Sequence, residues 1–519
     1  MNNPSCFATL KNGESIDFWT VPVLTVERLG NWMLDALKSP STRILAFFAT
    51  PCEPHNEGFH FRLVAVLGDR DTHTIRVSSA PVEYVYPSLT PQIPALHRFE
   101  REIAEQFGIV PQGHPWLKPV RFHKSYQPGH DAWNRADDAE IIPCVTDFFE
   151  LTGDAAHEVA VGPVHAGVIE PGHFRFQCLG EDVHHLEISL GYQHRSIEKM
   201  LQGGPDLHSL HFAETAAGDS TIASAWNYAA ILEALGNTPP SPGTILLRRI
   251  LLELERIANH VGDLGALAGD VAFLPTASYC GRIRGEYLNM TAEIAGNRFG
   301  RNVVIPRGMR TGLTPAKTQK IIAWIKRVKP ELDKALELLF DEPSVLDRFE
   351  NTGAVDSATA SQIGLVGVAA RACGLAVDSR IDFPAAHTPA DADTPPICLA
   401  SSGDVFARAK VRRDEINASH AWLLPMLESL AETGIADVNP TAPAPLQKQH
   451  LAVSITEAWR GELVQVAITN AEGCFARYKI VDPSFHNWFG LALALRGEQI
   501  SNFPICNKSF SLSYCGHDL

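Results

Sequence analysis

Long segments with helical periodicity fill much of the second half of the chain and constrain its fold more than any other feature. Residues 246–267, 281–296, 314–339, 357–371 and 405–431 repeat apolar side chains at three- and four-residue spacings, and glycines close several of these segments. Such spacing gives each helix an apolar face that must pack against another element. The sequence therefore predicts a body that is mainly α-helical.

The first 125 residues follow a different pattern. Apolar stretches such as 43–48 and 60–67 alternate with polar ones, as is typical of short strands. Between residues 94 and 108, Leu96, Phe99, Ile103 and Phe107 have the spacing of an amphipathic helix that Gly108 should end. We predict a small α/β domain over residues 1–125.

The remaining segments complete the predicted fold. A polar stretch with little periodicity predicts a linker over residues 126–150. Short alternating stretches between 159 and 191 predict strands, 451–455 predicts another, and the proline-rich segments 384–396 and 439–445 predict loops. The predicted fold class is α+β: the small N-terminal α/β domain is followed, over residues 151–519, by a mainly α-helical domain with a short β cap.

The composition excludes several classes of function. A net charge of -15 and a pI near 5.8 argue against binding to nucleic acid, which needs clustered Lys and Arg. The longest apolar runs, such as 44–50 and 489–495, are shorter than the roughly 20 residues that span a bilayer, so no direct membrane span is expected. The N-terminal segment lacks the pattern of an export signal, which predicts a cytoplasmic protein.

Several strings resemble known families. E-R-E at 100–102, F-G-I at 107–109 and G-H-P at 113–115 are similar to the C-type subunit of NADH-quinone oxidoreductase. The rest resembles the D-type subunit of that enzyme and, more closely, the large subunit of formate hydrogenlyase and hydrogenase-4. The strings that carry this likeness are G-P-V-H-A-G at 162–167, E-P-G-H-F-R-F at 170–176, H-R and E-K at 194–199, E-L-E-R-I-A-N-H at 253–260, G-N-R-F-G at 296–300, G-D-V at 403–405 and R-G-E at 460–462. The resemblance covers nearly the whole chain and includes the fused order of the C-type and D-type regions.

Hydrogenases of this family hold nickel and iron between two C-x-x-C pairs, because four thiolates are needed to bind and tune the centre. The ten cysteines here form no such pair. The expected ligand positions carry Ala217 and Ser220 after Glu214, and Ser513 and Gly516 near residue 519; a shift of one residue would supply only Cys515. The resemblance therefore implies a hydrogenase-like protein that lacks the nickel-iron ligands, and we predict no metal site.

The residues around these positions suggest two interpretations. His208, His211 and Glu214 are spaced three apart, so a helix would place them on one face near Asp219, where they could hold a harder ion such as zinc. A hydrated helix face at a subunit contact is the more ordinary explanation. Arg195, Glu198, Glu253, Glu255 and Arg256 are more simply explained as a buried ion-pair network that stabilises the fold or an interface.

The resemblance also implies candidate catalytic residues. His165 and His173 match the quinone-binding histidine loop of the quinone-reducing relatives, although the tyrosine of that site falls on Asp206. Glu170 matches a proton-passing glutamate of hydrogenases, or it caps or pairs within its own loop. Arg460 matches an arginine that overhangs the hydrogenase site, where a guanidinium could hold water or a carboxylate through two hydrogen bonds.

In functional terms, the resemblance implies a soluble subunit of a membrane-associated, complex-I-related redox complex that couples oxidoreduction to ion translocation without a functional nickel-iron centre. It would lie peripherally on the inner face of the cell membrane. The expected partners are an iron-sulfur small subunit of the B type found in NADH-quinone oxidoreductase, which would carry a 4Fe-4S cluster, and antiporter-like membrane subunits. No cofactor is expected on this chain, and no G-x-G-x-x-G string supports NAD binding.

Two other functions stay open from the sequence. One is a non-redox scaffold that links a membrane ion or bicarbonate transporter to conformational change. The other is a hydrolase or hydratase that uses a metal bound by histidine and glutamate in the former hydrogenase cavity.

Overall fold

The computed structural model describes residues 6–52, 60–165, 169–385, 387–388, 393–438, 440 and 444–519. Residues 166 and 167 of the G-P-V-H-A-G string, and parts of the predicted loops 384–396 and 439–445, lie outside these ranges. The strands are β1 (Ala8–Leu10), β2 (Glu14–Asp17), β3 (Thr42–Pro51), β4 (Phe61–Asp69), β5 (Thr74–Val82), β6 (Val85–Pro87), β7 (Val110–Gln112), β8 (Ala156–Val161), β9 (His173–Leu179), β10 (Asp182–Ser189), β11 (Val304–Ile305), β12 (Gly308–Met309), β13 (His450–Ala458), β14 (Gly461–Thr469) and β15 (Phe475–Val481).

The helices are α1 (Val26–Leu37), α2 (His97–Phe107), α3 (Ile197–Leu201), α4 (Ser209–Thr215), α5 (Thr221–Leu235), α6 (Pro242–Asp270), α7 (Leu274–Ala295), α8 (Pro315–Asp341), α9 (Pro343–Phe349), α10 (Ser357–Gln362), α11 (Gly367–Ala372), α12 (Ser379–Asp382), α13 (Val405–Ser429), α14 (Pro483–Ala494), α15 (Phe503–Phe510) and α16 (Tyr514–Asp518). Together with the small N-terminal sheet, they confirm the predicted α+β fold class.

The N-terminal part contains an antiparallel sheet with strand order β1-β5-β4-β3. Both faces of β4 are covered, since every residue from Phe61 to Asp69 is buried. Helix α2 begins after a short 3-10 turn and ends at Gly108, whose φ of 68° is the left-handed conformation that glycine adopts without strain. The helix predicted between residues 94 and 108 is therefore confirmed.

A second antiparallel sheet, with strand order β15-β14-β13-β2, forms a wall between the two hydrophobic cores. Along β13, Leu451 and Val453 face the N-terminal core, whereas Ala452 faces the helical core. This alternation follows from the two-residue repeat of a strand. The sheet is larger than the single strand predicted at 451–455, and β2 joins it from the N-terminal part of the chain.

The helical body is built around α6, which contacts α7, α13 and α15. Ser241 begins α6 by accepting a hydrogen bond from the Thr244 amide at 3.1 Å, and Pro242 occupies the first turn, where its missing N–H is not needed. The predicted helical segments at 246–267, 281–296, 314–339 and 405–431 correspond to α6, α7, α8 and α13.

The helix predicted over residues 357–371 is wrong as a single element, because it is broken into α10 and α11. Gly364 and Gly367 have φ angles of 73° and 62°, which end one helix before the next begins. A Cβ atom at Gly367 would lie 2.0 Å from the carbonyl oxygen of Arg460. The break therefore lets the turn that carries Arg460 approach the backbone of residue 367.

Three short strands, β8, β9 and β10, form the sheet predicted between residues 159 and 191. Residues 113–155, which include the predicted linker, contain no helix or strand. The domain boundaries at residues 125 and 150 stay predictions. Among the residues that the structure describes, no helix has both the length and the apolar character needed to cross a membrane.

Candidate functional site

His165 lies in the loop between β8 and β9, His173 is the first residue of β9, and both imidazoles contact the backbone of that loop. His165 Nε2 lies 2.9 Å from the carbonyl oxygen of Gly172, and His173 Nδ1 lies 3.4 Å from that of Gly162. Arg175 donates from Nε to His173 Nε2 at 3.1 Å. Burial lowers the pKa of His173, so the ring is neutral at neutral pH. These contacts orient the two predicted histidines.

Asp206, which stands where the quinone-site tyrosine was expected, lies in the turn just before helix α4. Its Oδ1 accepts hydrogen bonds from the backbone amides of His208 and Ser209 at 2.8 and 2.9 Å. This is the ordinary role of an aspartate at the start of a helix.

Glu170 joins the same loop to the C-terminal segment. Its carboxylate accepts hydrogen bonds from the backbone amides of Tyr514 and Cys515, each at 3.3 Å. The structure thus places Glu170 beside the predicted second ligand segment. These partners lie outside the loop in which Glu170 was expected to cap or pair, and the proton-passing role stays a prediction.

Arg460 lies in the turn between β13 and β14 and forms a two-pronged ion pair. Its Nη1 and Nη2 donate to Oδ1 and Oδ2 of Asp219, both at 2.7 Å, and its Nε donates to the carbonyl oxygen of Ser511 at 2.5 Å. The guanidinium stacks 3.9 Å above the Trp459 ring, whose Nε1 donates to the carbonyl oxygen of Asp219 at 3.0 Å. The carboxylate partner proposed for this arginine is therefore Asp219.

The electrostatics of this pair follow from its geometry. Burial disfavours the charge on Arg460, but the facing Asp219 carboxylate outweighs that effect and raises the pKa of Arg460 above its usual value. Burial acts to raise the pKa of Asp219, and the Arg460 guanidinium reverses this and lowers it. Both groups are consequently charged at neutral pH.

The two segments that should carry the nickel-iron ligands do come together. Arg195 donates to the carbonyl oxygens of Thr215 and Ala216 at 2.6 and 3.1 Å, and to that of Cys515 at 3.1 Å. One guanidinium thus bridges the region after Glu214 and the C-terminal segment. The placement that the resemblance implied is correct, although the segments are bridged by a side chain of the protein itself.

The residues in these segments do not fit a centre held by four thiolates. Ala217 has no ligand atom, and Ser220 and Ser513 offer hydroxyl groups. A Cβ atom at Gly516 would lie 2.6 Å from Oδ2 of Asp482, so a cysteine there would require the Asp482 side chain to move. The nearby Cys515 thiol has its pKa raised to about 11, chiefly by burial and further by Glu170, and it is therefore protonated at neutral pH.

The structure does not gather the four possible metal ligands predicted around α4 at one place. His211 and Glu214 are neighbours, with Nδ1 and Oε2 3.6 Å apart, but Glu214 Oε1 also accepts a hydrogen bond from the Asn302 amide. His208 instead stacks on Phe212, and Asp219 belongs to the Arg460 pair. Within the described ranges, no group of three or more His, Cys, Asp and Glu side chains is arranged to hold a metal ion.

Three acidic residues near the Arg460–Asp219 pair were missed or misassigned from the sequence. Asp263 accepts from Ser511 Oγ at 2.7 Å and from Arg412 Nε at 2.9 Å. Asp482 is buried, and burial raises its pKa although Arg460 opposes this. The Asp482-Pro483 pair predicts the start of a helix, but no sequence signal indicates that its side chain adjoins Gly516.

Glu255 is the third of these residues. Its Oε2 accepts from the Ile222 amide at 2.8 Å, whereas its buried Oε1 has no hydrogen-bond partner in the described part of the chain. Burial, with the neighbouring Asp219 charge, raises its pKa to about 8. Glu255 therefore carries a proton at neutral pH, and its assignment to an ion-pair network is wrong.

The ion-pair interpretation is confirmed for other members of that set. Arg256 Nε lies 3.1 Å from Glu253 Oε2, and Lys479 Nζ lies 2.9 Å from Glu198 Oε1 and 2.7 Å from Glu102 Oε1. The Lys479 pairs join β15 to α2 and α3, whereas the Arg256–Glu253 pair lies within α6. Arg195, by contrast, contacts backbone carbonyls rather than carboxylates.

Comparison with known families agrees with this architecture. Residues 33–134 match the family model described as respiratory-chain NADH dehydrogenase, 30 Kd subunit, and residues 270–455 match the model for the 49 Kd subunit of the same enzyme. The chain therefore belongs to the complex-I-related class in which regions of the 30 Kd and 49 Kd type are joined in one polypeptide. Within that class it is of the formate hydrogenlyase and hydrogenase-4 large-subunit type.

Three curated relatives illustrate this assignment. The carbon monoxide-induced hydrogenase of Rhodospirillum rubrum is 28% identical over 68% of this chain and 97% of its own length. Formate hydrogenlyase subunit 5 of Escherichia coli is 26% identical over 85% of this chain and 78% of its own length. Hydrogenase-4 component G of the same organism is 26% identical over 83% of this chain and 75% of its own length.

A solved structure shares the fold. A chain from the structure described as the membrane-bound sulfane sulfur reductase, an archaeal respiratory membrane complex, aligns with a TM-score of 0.64 at 19% identity. The alignment covers 70% of this chain and 99% of the other.

Proposed function

We propose that this chain is the large peripheral subunit of a membrane-associated, complex-I-related redox complex, and that it works there without a nickel-iron centre. The names of its relatives, which include hydrogenase and NADH-quinone oxidoreductase subunits, support the role in a complex. One observation carries the second half: Asp219 and Arg460 form a two-pronged ion pair next to the positions where the family's thiolates were expected.

The proposed surroundings follow from the same relationship. The protein lies on the inner face of the cell membrane and binds a B-type iron-sulfur small subunit, whose 4Fe-4S cluster carries the electrons. Antiporter-like membrane subunits complete the assembly and move ions. This chain contributes protein groups and no cofactor of its own.

The chemistry available on this chain is proton and charge storage. Glu255 holds a proton at neutral pH, and the pKa of Asp482 is raised by burial, so these carboxyl groups can exchange protons near the Arg460 charge. Glu170 links the histidine loop to the same region through the amides of Tyr514 and Cys515. In this proposal four residues hold the segments of the site in fixed positions while the redox state of a partner changes: His165, Glu170, His173 and Arg460.

A second candidate is a non-redox scaffold that links a membrane ion or bicarbonate transporter to conformational change. The Arg460–Asp219 pair favours this alternative as well. Its two opposite charges are in direct contact and would separate if either segment moved, and this change requires no electron transfer.

The intact complex, purified from its native membranes, separates these possibilities. We expect nickel far below one equivalent per chain by elemental analysis, together with a 4Fe-4S signal in electron paramagnetic resonance that changes when a quinol or reduced ferredoxin is added. Stoichiometric nickel would refute the absence of the centre. A complex without any reducible cluster would refute the redox role and leave the scaffold.

A further inference from the structure

A cavity of about 550 Å³ lies between the end of α1, the start of β3 and the segments on either side of α11. We name it the Arg70 cavity after the cation in its wall. Its volume is within the range of small-molecule binding sites, which are mostly apolar and contain a few polar groups that set orientation. It is remote in sequence from the segments that form the candidate functional site.

Apolar side chains form most of the wall. They come from elements far apart in the chain: Leu34, Leu37, Ile44, Ile93, Leu365 and Val377. Ile44, Ile93 and Leu365 are buried, whereas Leu34, Leu37 and Val377 are partly exposed. An apolar molecule in the cavity would cover the partly exposed groups and gain about 25 cal/mol for each Å² removed from water.

Arg70 contributes a cation without a carboxylate partner. Its Nη1 donates to the carbonyl oxygen of Ala376 at 2.8 Å, and the rest of its guanidinium makes no hydrogen bond or ion pair with any described residue. Arg43 lines the same cavity and differs, because it is paired with Glu462 and Asp382 at 2.6 and 2.7 Å. Lys38 also lines the cavity, but it is largely exposed and pairs with Asp35 at 2.7 Å. Among these three described cations, Arg70 is thus the one without a carboxylate partner.

One polar ring in the wall also lacks a hydrogen-bond partner. His486 is 7% exposed, and its imidazole makes ring contacts with Phe99 and Phe485 but no hydrogen bond within the described ranges. Burial lowers the pKa of His486 to about 4, so the ring is neutral and offers one donor and one acceptor. Buried polar groups of this kind ordinarily have partners, and a ligand would supply them.

We propose that the Arg70 cavity binds a small amphipathic carboxylate. The apolar body of the ligand packs against the Leu34 and Ile44 side of the wall, and the carboxylate pairs with the Arg70 guanidinium. The His486 ring provides a further hydrogen bond. Because Arg70 is held by Ala376, the ligand would also bridge the N-terminal sheet and the segment that follows α11.

The test uses the full chain and two probes of equal length, decanoate and decanol, in isothermal titration calorimetry. Decanoate is expected to bind with one site per chain, and decanol at least about tenfold more weakly, because a hydrogen bond to a charged group is worth roughly 1.5 to 3 kcal/mol. Equal affinity for the two probes, or no saturable binding of decanoate, would overturn the proposal without requiring any variant.

Two variants locate the site. Arg70→Gln should weaken decanoate binding about tenfold and leave decanol binding unchanged, whereas the matched control Arg28→Gln, an exposed arginine on α1 outside the cavity, should bind as wild type does. Leu34→Trp should weaken the binding of both probes, because the larger side chain crowds the wall against which their apolar chain packs. Thermal unfolding without ligand verifies that each variant is folded. Wild-type affinity in folded Arg70→Gln or folded Leu34→Trp would place the binding elsewhere and refute the assignment.

Discussion

Replacing Glu255 by glutamine is expected to stabilise the protein increasingly as the pH rises from 5 to 8. The carboxyl group has an ordinary pKa of 4.5 and a pKa of about 8 in the folded protein, because it is buried and adjoins Asp219. Between these values the folded chain keeps a proton that the unfolded chain releases. The stabilising contribution of this carboxyl is therefore fully present below pH 4.5 and is lost as the pH rises through 8.

The magnitude follows from the same values. Each unit of pKa corresponds to about 1.4 kcal/mol, so the difference between 4.5 and about 8 is worth roughly 5 kcal/mol above pH 8. Glutamine keeps the acceptor for the Ile222 amide but places an amide NH₂ where the carboxyl oxygen lacks a partner, at a cost of about 1 to 3 kcal/mol. At pH 8 about 4 kcal/mol of this difference has developed, so the net gain is about 1 to 3 kcal/mol, and at pH 5 it is close to zero or negative.

The measurement is the difference in thermal unfolding midpoint between variant and wild type at several pH values from 5 to 8. Glu253→Gln on the same helix is the matched control, because Arg256 and Arg380 outweigh burial and lower the pKa of Glu253. The Glu253 contribution is present above pH 4.5 and is lost only as the pH falls through its lowered pKa, so this variant should be less stable throughout the range. A difference for Glu255→Gln that does not change with pH would refute the reasoning.

Three further substitutions probe the buried charges. Asp219→Ala should cost about 2 kcal/mol, less than the roughly 3 to 5 kcal/mol of a fully buried pair because Asp219 is partly exposed, and the cost should shrink in an Arg460→Met background. Gly516→Cys should cost about 1 to 3 kcal/mol because its Cβ meets Asp482, and Asp482→Ser should recover part of this loss. Lys479→Met leaves two buried carboxylates without their shared cation and should cost about 3 to 5 kcal/mol.

Thermal or denaturant unfolding at neutral pH measures all three effects. Lys320→Met, at a side chain that is 57% exposed, is the control for Lys479→Met and should change stability by less than about 1 kcal/mol. Additive losses in the Asp219 and Arg460 double variant would contradict a direct pair. An unchanged midpoint in Gly516→Cys would show that the region near Asp482 has space for a thiolate ligand.

Much of the helical body could be predicted from helix-capping residues and apolar periodicity, because both depend on residues close in sequence. Ser241 and Pro242 begin α6, and the apolar repeat that follows determines which face is buried. The break between α10 and α11 was not predictable in this way. It depends on the approach of Arg460 to Gly367, two residues far apart in the chain.

Strands β14 and β15 escaped prediction for a related reason. Arg477 and Lys479 lie on β15 and are both fully buried, a placement that ordinary patterning would reject. Their charges are compensated by Glu198 on α3 and, for Lys479, Glu102 on α2, hundreds of residues earlier. A single sequence does not show which carboxylate meets which cation.

The candidate site was predictable in outline through family resemblance. That resemblance implied that Arg460 lies near the position where the family holds its metal, and that the segments of Ala217 and Gly516 lie close together. It could not identify Asp219 as the partner, because the pairing joins residues 241 positions apart and depends on the fold that surrounds them. The raised pKa of Glu255 likewise comes from burial, which spacing alone does not reveal.

The pairing of β2 with β13 has a consequence for how the chain is made. Residues 14–17 leave the ribosome early, but the strand they pair with, residues 450–458, is synthesised near the end. A ribosome that adds roughly 5 to 20 residues per second separates these two events by about 20 to 90 seconds. The sheet between the two cores therefore closes late, and the first half must remain partly open until nearly the whole polypeptide has emerged.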